Sequence, residues 1–178
     1  MKKIIIFCTF IISNLISEPV IYKQGCIVPN ILLETIQLTE NETSYPYLIR
    51  TNDTTTLNKF YTIVERFKFN VTKDSMVIDC INHQNCIEIT NVLIKNQITN
   101  LDLGLFQINY ESYPYNLHTY FDERLSYLGA CEVIKEKIRI SKNKWNWEVL
   151  ASYHSKTPHL NKIYKEKLIN NYIKLLKN

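Results

Sequence analysis

Four cysteines constrain this chain more than any other feature. Cys26, Cys80, Cys86 and Cys131 all lie beyond the first seventeen residues. Those seventeen residues read as an export signal. Lys2 and Lys3 start it, an apolar run follows from Ile4 to Ile12 interrupted only by Thr9, and small or polar residues lead to a cleavage point near Ser17. The run is too short to span a bilayer, and the alternative is a short retained membrane anchor. A fifth cysteine, Cys8, lies inside it and lacks the preceding small residue of a lipid-attachment site. An even set of cysteines in an exported chain implies two disulfides. Four cysteines allow three pairings, which sequence alone does not decide. The expected pairing joins Cys80 to Cys86 across a small loop and Cys26 to Cys131 across most of the domain. A zinc site is the rival, and the absence of tight Cys-x-x-Cys spacing speaks against it. No metal and no cofactor are expected.

The remaining length, residues 18–178, suits one domain with its own core. Hydrophobic residues make up 46% and charged residues 21%, which places the chain among globular proteins rather than disordered ones. Lys and Arg number 21 against 17 Asp and Glu, and loss of Lys2 and Lys3 leaves 19 against 17. That balance gives no footprint for nucleic acid, which is not expected as a partner. It is compatible with an anionic cell-wall surface. A monomer is expected.

Hydrophobic periodicity predicts helices over residues 30–41, 57–69, 85–96, 121–139, 145–154 and 159–176. Pro29 and Asn30 suit the opening of the first helix, as first-turn residue and cap. Thr157-Pro158 breaks the last two apart. The final helix places Leu160, Ile163, Tyr164, Leu168, Tyr172 and Leu176 on one side and many lysines on the other, so that side is expected in the core. Residues 98–110 are rich in β-formers and contain Gly104, one of only three glycines, so they read as short strand and tight turn. The expected fold class is α+β, predominantly α, with one small β element.

On the first helix, Leu33, Ile36 and Glu40 fall at i, i+3 and i+7, one face. Glu40 therefore ends an apolar stripe near the helix C-terminus. Burial and the negative end of the helix dipole both disfavour its ionised form. A carboxyl that keeps its proton near neutrality is what cleavage of a glycosidic bond needs at the leaving oxygen. The competing reading is a solvent-facing Glu at a fraying helix end. Glu34 and Glu42 lie off this face.

Three segments carry a resemblance. Asp102-Leu-Gly-Leu-Phe-Gln-Ile-Asn109 resembles the Gly-Leu-Met-Gln-Ile signature of the lysozyme-like lytic transglycosylases. Ala151-Ser-Tyr-His-Ser155 resembles their Ala-Tyr-Asn-Ala-Gly segment. Leu38-Thr-Glu-Asn41 with Pro46-Tyr-Leu-Ile49 resembles their Glu-Ser motif and its trailing Pro-x-Ala-Ile. The three occur in the family's order and span most of the chain. The exported, cysteine-bearing form is closest to the small muramidases of type IV secretion and pilus assembly in Gram-negative bacteria. Departures are Asn41 for Ser, one extra residue before Pro46, Phe106 for Met, His154-Ser155 for Asn-Ala, and Lys156 for Gly.

The resemblance implies a lysozyme-like domain in the periplasm. It would cut the β-1,4 bond between MurNAc and GlcNAc in peptidoglycan strands, as a lyase forming 1,6-anhydro ends, and the resemblance adds a secretion or pilus machine as a candidate partner. Glu40 would act first as acid and then as base. Gly104 would admit the glycan close to the backbone or supply a positive φ. Gln107 would bond an acetyl group or hydroxyl. Tyr153 would bond the catalytic carboxyl or the acetamido group, and Asn41 and Asn109 are further substrate-binding candidates. A hydrolytic, retaining lysozyme needs a second carboxylate near the first. Asp102 is the only nearby acid, and in the resemblance it belongs to the fold of the turn. Two alternatives stand beside this reading: a non-catalytic wall-binding or assembly protein on the same fold, and a hydrolytic goose-type lysozyme. A Cys/His nucleophile pair involving His154 requires a reduced cysteine.

Overall fold

The computed structural model describes residues 25–41 and 44–177. The expected leader 1–17 and Glu42 lie outside the described residues. The fold is α+β and predominantly α. Helix α1 spans Asn30–Glu40, strand β1 Leu48–Thr51, α2 Leu57–Val64, β2 Asn70–Val71, β3 Val77–Asp79 and α3 His83–Lys95. Strands β4 (Leu101–Leu103) and β5 (Ile108–Asn109) follow, then α4 (Leu117–Phe121), α5 (Glu123–Ile140), α6 (Trp147–Ala151) and α7 (Pro158–Leu175). The strands form one antiparallel sheet in the order β2-β3-β1-β4-β5.

Side-chain alternation sorts the sheet into two faces. Ile49 pairs with Ile78 on one side and Leu103 on the other, and all three are fully buried. Arg50 and Asp102, one residue along, pair on the opposite face. The alternation thus directs Asp102 away from the core that Leu101 and Leu103 fill.

Helix α1 buries Leu32, Leu33, Thr35 and Ile36. It begins at Asn30 with Pro29 at the cap position and no side-chain cap, so Asn30 does not cap as expected. Its amide is instead given to Glu34 one turn on, at 2.5 Å. Asparagines and an aspartate cap later helices: Asn82 on α3, Asn116 on α4, Asp122 on α5 and Asn146 on α6 each accept a backbone N–H. Pro158 sits in the first turn of α7. Two cross-helix bonds seat α1: Tyr127 on α5 donates to Gln37 at 3.0 Å, and Asn171 on α7 donates to Thr39 at 3.0 Å.

The two disulfides are Cys26–Cys131 and Cys80–Cys86. The first ties the approach to α1 onto α5. The second joins the end of β3 to the first turn of α3. Two disulfides point to an oxidising, extracytoplasmic environment. They also remove the Cys/His nucleophile reading, since no thiol remains among the described residues. Among the described residues, no helix is long and apolar enough to cross a membrane.

Three expectations need correction. The helix expected over 57–69 stops at Val64, because Asn70–Val71 pairs with the β3 edge and Asn70 donates to Asp79 at 2.8 Å. The β element is larger than one hairpin, since β1, β2 and β3 join it. On α7 only Tyr164 and Leu168 are buried, whereas Leu160, Ile163 and Leu176 are exposed, because the helix packs on α1 and α6 over part of its length.

Candidate active site

Glu40 is the last residue of α1, and its side chain is only 12% exposed. It lies in the wall of a cleft of about 750 Å³. Asp102 of β4, Gln107 of the β4–β5 turn, Asn109 of β5 and the Tyr153-His154 pair after α6 line the same cleft. Three chain segments far apart in sequence thus meet around one carboxyl.

Burial pushes the Glu40 carboxyl up from 4.5 to about 8. The Tyr164 hydroxyl acts against this, the negative charge of Asp102 adds to it, and the cations Arg50 and Lys167 oppose it. Burial outweighs the rest. The Tyr164 hydroxyl is itself buried and makes no hydrogen bond of ordinary geometry among the described residues, although it faces this carboxyl. Glu40 therefore keeps its proton through neutrality.

Two further acids line the cleft, the exposed Glu111 and the largely buried Asp102. Burial raises its pKa, and hydrogen bonds from Asn109 and Asn52 counter that rise. The Asn109 amide donates to Asp102 at 2.9 Å and to Asn100 at 3.0 Å, while its oxygen accepts the Ser112 N–H at 3.0 Å. Asn109 thus lines the cleft but spends its side chain on holding Asp102. Sequence reasoning placed Asp102 in the turn's architecture; the structure also brings it into the cleft with Glu40. The signal was strand alternation, since Leu101 and Leu103 had to face the core.

Gln107 lines the cleft with φ at +46°, and its amide donates to the Gly104 carbonyl at 2.8 Å. Its side-chain oxygen stays available to a ligand. Tyr153 lines the cleft too, but its hydroxyl is donated to the Phe106 carbonyl at 2.9 Å, not to Glu40. It fastens the segment after α6 to the Gly-Leu-Phe-Gln turn.

Gly104 and Asn41 do not line the cleft. Gly104 is buried with φ at +73°, and a Cβ there would stand 1.9 Å from the Tyr120 carbonyl oxygen. Its small size serves the approach of α4 rather than of a glycan. Asn41 is buried, and its amide donates to the Tyr45 carbonyl at 2.5 Å, which shapes the chain leaving α1.

The sequence marked His154 as a departure from the family's segment and as one half of a Cys/His pair, not as a neighbour of Glu40. Its Nδ1 lies 3.8 Å from the Glu40 carboxylate oxygen, and its ring stacks on Tyr164 at 4.8 Å with 9° between planes. Burial lowers its pKa, while Asp102 pulls the other way and Lys167 and Arg50 add to the lowering. In neutral solution the His154–Glu40 pair is therefore an uncharged imidazole beside a protonated acid, not an ion pair. Among the described residues, no group of three or more His, Cys, Asp or Glu side chains could hold a metal ion.

The arrangement is a proton donor in a polar cleft, with a second acid and several amides able to bind hydroxyl and acetamido groups. Comparison with protein families, with curated proteins and with solved structures finds no match to this chain.

Proposed function

We propose that this chain is a peptidoglycan lytic transglycosylase acting on the β-1,4 bond between MurNAc and GlcNAc. The observation that carries this reading is the Glu40 carboxyl, held protonated up to about pH 8 in the cleft beside the Gly-Leu-Phe-Gln turn. Glu40 gives its proton to the bridging oxygen as the glycosidic bond breaks. The neighbouring acetamido group stabilises the positive sugar carbon. The Glu40 carboxylate then takes the proton of the sugar's own six-position hydroxyl, whose oxygen closes the 1,6-anhydro ring. One residue serves as acid and then base, and its proton is restored. Gln107 and the cleft amides orient the sugar. This reading includes export by the residue 1–17 segment, a periplasmic site of action and service to a secretion or pilus machine.

A second reading has its own observation. Asp102 shares the cleft with Glu40, and a pair of acids is the equipment of a hydrolytic lysozyme. There Asp102 would carry or stabilise the glycosyl intermediate, and water would release it with retention. Muropeptide mass spectrometry separates the two. Anhydro ends support the transglycosylase; reducing ends, lost in Asp102→Asn, support the hydrolase. A peptidoglycan zymogram showing no clearing, or equal clearing by Glu40→Gln, overturns both.

A further inference from the structure

Among the described residues, His154 is the only histidine that lines the cleft. Helix α7 lays Tyr164 against one face of its ring, with centroids 4.8 Å apart and 9° between the planes. Tyr164 is buried, so the stack fixes the plane of the imidazole. Helix α1 ends in Glu40, whose carboxylate oxygen stands 3.8 Å from Nδ1. That is longer than a hydrogen bond, as catalytic contacts often are before substrate closes on them. The His154 side chain is still 49% exposed, so the ring opens on the cleft and solvent while Nδ1 faces the acid.

The charged and titratable groups around this ring are Glu40 of α1, Arg50 of β1, Asp102 of β4, and Tyr164 and Lys167 of α7. The guanidinium and the ammonium have no lone pair with which to accept a proton. Burial pushes the Tyr164 hydroxyl well above its ordinary range, so it keeps its proton. Besides the two acids, only the imidazole can both accept a proton and give one, through two different nitrogens. When Glu40 has given up its proton, a carboxylate remains beside Asp102 in a largely buried site. A positive charge formed at His154 offsets that.

Resting on the glycan reading of the cleft, we propose that the six-position hydroxyl returns its proton to Glu40 through His154, a relay between substrate and acid. As the hydroxyl oxygen bonds to the anomeric carbon, its O–H bond breaks and the proton goes to Nε2. The imidazolium so formed faces the Glu40 carboxylate and gives it the proton on Nδ1. Glu40 is again an acid and the ring is again neutral. The exposed ring then exchanges protons with water to restore its starting tautomer.

The test follows turnover of purified sacculi by the full chain, read as released muropeptides, in wild type, His154→Phe and His154→Ala. Phe keeps a flat ring over Tyr164 but carries no nitrogen. Ala leaves an open gap of imidazole size. Both variants should lose about a hundredfold in kcat, and added imidazole should restore the Ala variant by about tenfold while leaving the Phe variant unchanged. Loss of packing alone would not produce that pattern. Wild-type kcat should also fall on the acid side, where the ring is protonated before substrate offers a proton. Burial sets this fall below the ordinary 6.5, with Asp102 opposing and Lys167 and Arg50 adding. The Phe variant should lack that acid limb. A His154→Phe enzyme with wild-type turnover, or an Ala loss that imidazole leaves untouched, overturns the relay while the cleft reading stands. Wild-type protein that releases no muropeptides overturns both.

Discussion

Replacing Glu40 by Gln should stabilise the protein, and by an amount that depends on pH. A carboxyl whose folded pKa exceeds its unfolded value holds its proton more tightly in the folded state. Its contribution to stability is fully present below about pH 4.5 and is lost as pH rises through about 8. At pH 7 the unfolded chain has ionised this group and the folded chain has not. The difference amounts to about 3 kcal/mol against folding. The side chain is 12% exposed, so solvent screening reduces this only modestly. Gln fills nearly the same volume and cannot titrate. Glu40→Gln should therefore match the wild type at pH 4, apart from any constant packing difference, and exceed it by about 3 kcal/mol at pH 7. At 2–4 °C per kcal/mol for a chain of this size, melting should rise by roughly 6–12 °C. Calorimetry or urea unfolding of both proteins at the two pH values reads it. Asp102 is common to both and largely cancels. An advantage of the same size at both pH values would refute the claim that the fold keeps this carboxyl protonated.

Other consequences follow from the same geometry. With Glu40 as the acid of the proposed reaction, kcat/KM for wall cleavage should hold up to about pH 8 and then fall roughly tenfold per pH unit; a fall centred near 4.5 would contradict this. Gly104→Ala must both adopt φ +73° and displace the Tyr120 carbonyl, a loss of about 2–5 kcal/mol visible in urea unfolding. Removing Cys26–Cys131, with a sequence separation of 105, should cost about 4–5 kcal/mol by loop entropy. Cys80–Cys86, with a separation of 6, should cost only about 2 kcal/mol. Unfolding of the paired Cys→Ser variants separates the two.

The sequence made some parts of this molecule legible and hid others for physical reasons. The apolar stripe through Leu33 and Ile36 located Glu40, because a helix repeats its buried face every three or four residues. Both cysteine pairs match the expected pairing. Strands β1, β2 and β3 were not visible. They hold two to four residues each, too few to show a period, and are stabilised by cross-strand partners distant in sequence. Gln107 and Tyr153 reach the cleft as expected. Asn41 and Gly104 serve the backbone around it instead, which only tertiary contacts reveal. His154 faces Glu40 only because α7 carries Tyr164 beneath its ring.

The fold holds one carboxyl protonated inside the cleft. The most direct measurement is a carbon-13 NMR titration of the glutamate side-chain carboxyls in the full chain, with Glu40→Gln assigning the resonance. A carboxyl that titrates near pH 8 and vanishes in the variant is the expected result. A Glu40 resonance that titrates near 4.5, with the other glutamates, would contradict it.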